Sequence, residues 1–180
     1  MEELKRIEEK QIEIERLTVV RDIFVFACYT GLSFADISKL SDIHLQQKSE
    51  GKLWIVIDRS KTNNRCRIPI LPKAKEILNR YKDYPKTNGK NLLLPVLTNQ
   101  KMNSYLKELG GICGIKKNIT RHIARHTFAT TVTLSNGVPI ETVSKLLGHS
   151  SLKTTQIYVK VLDQKISEDI EMLETKLRSA

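Results

Sequence analysis

Apolar positions recur with a helical period through most of this 180-residue chain and turn strand-like in the interval between Asp42 and Ile70. Met1 to about Arg16 is dense in Glu, Lys and Arg, with Leu4, Ile7, Ile14 and Leu17 at mostly helical intervals, which predicts an amphipathic helix with a solvated face. From Leu17 to Tyr29 the chain is apolar nearly all round, as in a helix through a core, and Thr30-Gly31 ends it. A short helix over Phe34 to Leu40 follows, with Ser33 as N-cap and Asp36 at N3 in the place of a capping-box acid. Lys52 to Asp58 and Arg65 to Ile70 read as strands of a small antiparallel sheet, joined by the polar turn Arg59 to Asn64.

Pro72 opens the next helix, with Ala74, Ile77, Leu78 and Tyr81 on its apolar stripe, and Asp83 to Lys90 is a loop by composition. Asn99 to Leu109 reads as a helix stopped by Gly110-Gly111, and Gly114 to Asn118 as a basic connector. Thr120 to about Leu134 is helical, Asn136-Gly137 turns the chain, Ile140 to Leu147 follows Pro139, and Ser151 to Tyr158 forms a second short helix. On the charged tail Ile166, Ile170, Leu173 and Leu177 make a narrow apolar stripe that needs a surface to bury against. The fold expected is mainly α with a small antiparallel β-sheet, α+β, in one domain over residues 1–180.

This length supports its own core without staples. Thirty Lys and Arg against twenty Asp and Glu give a formal net charge of +10, which favours a polyanionic partner and puts nucleic acid first. Cys28, Cys66 and Cys113 lack the close spacing of zinc sites or disulfide frameworks and read as reduced thiols. No signal peptide is expected, and the longest apolar run, roughly Ile23 to Tyr29, is far too short to span a bilayer, so a cytoplasmic protein is expected.

The candidate chemistry lies between Asn118 and Lys160. His122 and Arg125 are one helical turn apart on one face and can address a single phosphate, while His126 points elsewhere. Gly148 follows the apolar pair Leu146-Leu147, where a glycine closes a helix, and His149 comes next. Tyr158 then sits on the following helix, as a nucleophile with helpers would. Upstream, the polar turn carries Lys61 out on a hairpin.

These residues resemble those of the tyrosine recombinases, or phage-type integrases, which break and rejoin DNA strands. The landmarks are H-x-x-R at His122 to Arg125, L-G-H at Leu147 to His149, the downstream Tyr158, Thr30 to Asp36, and Ser60-Lys61-Thr62. The resemblance implies a tyrosine recombinase catalytic domain in which Tyr158 attacks a DNA phosphodiester to give a 3′-phosphotyrosine. In that scheme Arg125 clamps the phosphate, His149 donates to it, His122 assists proton transfer at Tyr158, and Lys61 protonates the leaving 5′ oxygen. Asp36 stands behind the site or serves only as a helix cap. Arg59, Arg65 and Arg67 are candidate phosphate contacts, and Lys116 and Lys117 either touch the DNA backbone or are merely solvated. Rejoining conserves bond energy in the phosphotyrosine, so neither nucleotide triphosphate, metal nor other cofactor is implied.

One departure stands out, because the family motif T-G-x-R reads Thr30-Gly31-Leu32-Ser33 here and the first catalytic arginine is absent. Arg21 is one candidate to replace it, Arg59 and Arg65 are rivals, and Ser33 itself is a possible donor. Two other readings compete with the recombinase: a DNA-binding relic of the same fold, and relaxation of DNA in the manner of a type IB topoisomerase. The family's separate DNA-binding domain has no room in this length, so a catalytic-domain fragment is expected, with double-stranded DNA as partner and further protomers assembled through the C-terminal helix.

Overall fold

The computed structural model describes residues 1–47, 51–84, 91–159, 170–171, 174–175 and 177–178. Its helices are α1 (Glu2–Glu9), α2 (Glu15–Thr30), α3 (Phe34–Ile37), α4 (Pro72–Arg80), α5 (Asn99–Ile112), α6 (Arg121–Thr127), α7 (Ile140–Leu147) and α8 (Leu152–Val159). The strands are β1 (Leu45–Gln47), β2 (Leu53–Asp58) and β3 (Arg65–Pro69), antiparallel in the order β1-β2-β3. Pairing of Ile57 with Cys66 and Asp58 with Arg65 sets the register beside the turn. The fold is therefore mainly helical with a small antiparallel sheet, as the periodicity predicts.

The larger core is built on α2. Eleven of its side chains, including Leu17, Val20, Ile23, Phe26 and Cys28, are buried, and α1, α4, α5 and α6 pack around it. The single helix expected over Met1 to Arg16 is instead broken between Lys10 and Ile14, where the backbone is extended. A straight continuation would carry Leu4 and Ile7 into solvent; the break folds α1 back so that both join the core around α2. Arg21 holds the corner by donating to the Lys10 carbonyl at 2.8 Å.

Two other boundaries differ from expectation. Gly110-Gly111 does not stop α5, which runs on to Ile112 because Gly110 lets Ile119 pack closely; the reversal falls at Gly114, in the left-handed region. After α6 the chain widens into a π turn over Phe128–Thr133, and the Thr133 hydroxyl donates to the carbonyls of Phe128 and Ala129 that the wider turn frees. A second, smaller apolar cluster forms there from Phe128, Ala129, Leu134, Val143, Leu147 and Tyr158. The loop expected over Asp83 to Lys90 is described only through Tyr84, and Ile166 and Leu173 of the tail stripe lie outside the described residues. Ile170 and Leu177 are 50% and 69% exposed. Among the described residues no helix is long and apolar enough to cross a membrane.

Candidate active site

The candidate site lies on the seam between the two apolar clusters, where the C-termini of α2 and α7 meet the β2–β3 turn. Gly31 caps α2 with a positive φ of 64° and faces the Phe128 ring so closely that any side chain would run into it. Gly148 caps α7 with φ 68°, and a Cβ there would run into Cys66 Sγ and the Arg59 side chain. Each helix thus ends with backbone pressed on a neighbour, and its last carbonyls, the negative pole of the helix, point into the seam.

Two guanidinium groups fill that seam. Arg125 donates from Nη1 to the Gly31 carbonyl at 2.6 Å and from Nη2 to the Leu147 carbonyl at 2.5 Å, tying α2 to α7. Arg59, only 4% exposed, donates from Nη2 to the adjoining Leu146 carbonyl at 2.8 Å, from Nη1 to Asp36 Oδ2 at 3.0 Å, and from Nε to Cys66 Sγ at 3.1 Å. Their charges repel. Burial first and then the Arg59 charge pull the Arg125 guanidinium down to about 10, still cationic at neutral pH. Asp36 is the carboxylate that offsets the pair. It is itself buried, which works against its charge, yet the Ser60 N–H, Ser33 and Arg59 hold it below the usual carboxylate value. Two cations against one anion leave a net positive seam suited to a phosphate.

His149 leaves the α7 cap with its N–H on the Ser144 carbonyl at 3.1 Å, and its Nδ1 lies 2.8 Å from Thr155 Oγ1. Burial, then Arg125 and Arg59, push the imidazole down to about 4, so at neutral pH it is uncharged. Tyr158, 6% exposed, lies parallel to this ring with centroids 6.3 Å apart and an interplanar angle of 9°.

The structure corrects the expectation for His126. Its ring does not point elsewhere but meets Tyr158 edge-on, with centroids 4.8 Å apart. Adjacent helix positions diverge by about 100°, which led the sequence reading away from it; Tyr158, however, reaches α6 from the side that His126 faces. His122 is exposed one turn before Arg125, and Lys61 is exposed at the tip of the β2–β3 turn.

Arg21 is not brought to the seam. It bonds Asp22 at 2.9 Å and the Lys10 carbonyl, ten residues before Gly31 and so about 15 Å away along α2. Arg65 and Arg67 alternate with buried Cys66 and project from the other face of β3, Arg65 lying 4.0 Å from Asp58. Of the arginines that sequence reading left open, Arg59 alone shares the α7 carbonyl end with Arg125. Lys116 is exposed, and Lys117 pairs with Glu3 at 3.2 Å. Sequence reading missed Thr155 and Cys66; the hydrophobic period marks neither as more than a buried small side chain.

A buried Arg59 and a half-buried Arg125 thus meet a neutral histidine and a parallel tyrosine ring at the ends of two helices. The sequence profile of the phage integrase family matches residues 2–165, and the chain belongs to that family. It is 32% identical over 156 residues to the tyrosine recombinase XerD of Lacticaseibacillus casei, covering 80% of this chain and 51% of that protein. Over 179 residues it is 32% identical to the tyrosine recombinase XerA of Pyrococcus furiosus, covering 94% and 59%. The chain thus spans about half the length of the curated relatives it matches. The crystal structure of XerA recombinase shares the fold with a TM-score of 0.72 at 25% identity, over 95% of this chain and 62% of that one. XerH site-specific recombinase bound to a difH substrate is alike in fold at 0.70 and 20% identity, over 96% and 50%.

Proposed function

We propose that this domain breaks and rejoins double-stranded DNA by attack of Tyr158 on a phosphodiester. The phenolic oxygen bonds to phosphorus, the bond from phosphorus to the 5′ oxygen breaks, and a 3′-phosphotyrosine results. The phenolic proton passes to a neighbouring base, for which His122 is the candidate, and Lys61 gives a proton to the 5′ oxygen. Arg125 and Arg59 bind the nonbridging oxygens, with Arg59 in the place of the arginine missing at Ser33, and His149 donates to the same phosphate. Arg65, Arg67, Lys116 and Lys117 are outlying backbone contacts. Attack by a 5′ hydroxyl on the phosphotyrosine reverses the sequence and reseals the strand.

The observation that carries this reading is the convergence of Arg59 and Arg125 on the consecutive carbonyls of Leu146 and Leu147, beside His149 and Tyr158. Family membership supports it, as do relatives named tyrosine recombinases. A nicked suicide duplex tests it: the wild-type chain becomes covalently attached to DNA while Tyr158→Phe binds without trapping, and equal trapping by both sinks the assignment. Strand exchange between paired sites needs further protomers, and the tail stripe at Ile166, Ile170, Leu173 and Leu177 is the proposed docking element. Deleting residues 162–180 then weakens pairing of sites more than cleavage at one site, whereas equal loss points to a role within one protomer.

A further inference from the structure

We propose that Thr155 is a positioning residue for His149: its hydroxyl donates to Nδ1 and keeps the ring proton on Nε2, the nitrogen left to donate to a phosphate oxygen. The inference rests on the reading of His149 as a phosphate donor, and it adds the group that makes it one.

Thr155 is 0% exposed, and Nδ1 of His149, at 2.8 Å, is the partner of its Oγ1 among the described residues. A hydroxyl must place one hydrogen, and leaving it unplaced in a buried site costs about 1–3 kcal/mol. If Nδ1 carried the ring proton and donated to Oγ1, the hydroxyl hydrogen would be left in that state. The bond therefore runs from Thr155 to Nδ1. The imidazole is neutral at ordinary pH, since burial and the charges of Arg125 and Arg59 oppose a second proton, so its one N–H is at Nε2. With the other tautomer, the ring would present a lone pair to phosphate oxygens and repel them.

Placement of Thr155 gives this bond a further consequence. Thr155 and Tyr158 are the two buried residues of α8, three apart on one face. The helix that supplies the nucleophile also supplies the hydroxyl that sets the histidine proton. Tyr158 lies parallel to the same imidazole, with ring centroids 6.3 Å apart. Seating α8 thus aligns the nucleophile and arms the phosphate donor in one step.

Ring-labelled histidine in the whole chain tests the proposal by nitrogen NMR near neutral pH, without DNA. The wild-type His149 shows a hydrogen-bearing Nε2 and an unprotonated Nδ1. T155V, nearly isosteric but without the hydroxyl, gives a mixture of tautomers and cleaves a nicked duplex about tenfold more slowly, the scale of one lost hydrogen bond, with DNA affinity kept. T155S restores both the spectrum and the rate. In an H149A background, T155V has no further effect on cleavage. A proton on Nδ1 in the wild type overturns the proposal, and so does T155V at the wild-type rate or with an unchanged tautomer. Should T155V fail to melt cooperatively, the wild-type and T155S spectra decide. Loss of the strand-cleavage reading, seen as trapping by Tyr158→Phe, leaves the spectrum intact, so the two failures are distinguishable.

Discussion

Arg59 and Ser33 donate to the same oxygen, Oδ2 of Asp36, at 3.0 and 2.7 Å. Ser33 stands where the family motif has its first arginine, and Arg59 enters the same space from the β2–β3 turn. One carboxylate thus holds both Ser33 and the arginine proposed to replace the family's, and Ser60 N–H fixes the other oxygen at 2.8 Å.

If Arg59 is the proposed donor to the developing charge, R59A lowers covalent-complex formation by about 100- to 1000-fold in single-turnover assays. Because R59A also strands the buried Asp36, R59K is the paired variant: it keeps a charge beside the carboxylate, loses the fork, and remains slow while melting near the wild type. S33R recovers part of the rate in the R59A background and gains nothing in the wild type, where Oδ2 is already engaged. R21A cleaves at the wild-type rate and loses only stability, about 1 kcal/mol for its bonds to Asp22 and Lys10. Wild-type cleavage by R59A, or a cleavage defect in R21A, would reverse the assignment.

Gly148 is under two constraints at once, a left-handed backbone and the approach of Cys66 and Arg59. G148A costs about 1–2 kcal/mol for the conformation and about 1–3 kcal/mol more for the collision, read by denaturant unfolding. Cleavage falls further than stability alone explains, since the Leu146 and Leu147 carbonyls lose their aim at the two arginines. C66A in the same chain relieves the collision with Cys66 and leaves the approach of Arg59 and the backbone term.

Elements with a clean period were legible in the sequence: α2, α4, α7 and the hairpin strands lie where apolar spacing and the Pro and Gly punctuation put them. Lys10 to Ile14 was not legible, because no breaker residue occurs there and only burial of Leu4 and Ile7 against α2 bends the chain. The same limit applies to the site. Motif spacing finds Arg125, His149 and Tyr158, whereas the choice between Arg21 and Arg59 depends on which end of α2 faces the α7 carbonyls. The contacts of His126 with Tyr158 and of Thr155 with His149 come from how α8 lies against α6 and the α7 cap, a tertiary fact with no local signature.

The pH dependence of stability isolates His149. Its folded value near 4 lies below the ordinary 6.5, so between the two the unfolded chain takes up a proton that the folded chain refuses. Stability from this group falls as pH drops from about 6.5 towards 4 and is constant above about 7. Asp36 has the same sign, a depressed carboxylate whose contribution is lost as pH falls below its ordinary 3.8, so only the two windows differ. H149Q abolishes the histidine component: its melting temperature declines less between about pH 7 and pH 5 than that of the wild type. An unchanged decline would place the titrating group elsewhere.

Lys61 is exposed at the tip of the β2–β3 turn, two residues beyond the buried Arg59, so one turn presents both groups. If this lysine protonates the leaving 5′ oxygen, its importance depends on how poor that leaving group is. An alkoxide needs the proton, since water-like hydroxyls have pKa values near 16, whereas a thiolate, with an ordinary pKa of about 8.5, leaves without one. K61A is accordingly slow on ordinary DNA, by about 100-fold or more, and recovers most of its rate on a duplex with sulfur in place of the bridging 5′ oxygen. If Arg59 and Arg125 act on the nonbridging oxygens, as proposed, R59K stays slow on both substrates, and Tyr158→Phe reacts with neither. A K61A defect of equal size on oxygen and sulfur substrates would make Lys61 a backbone contact rather than the acid.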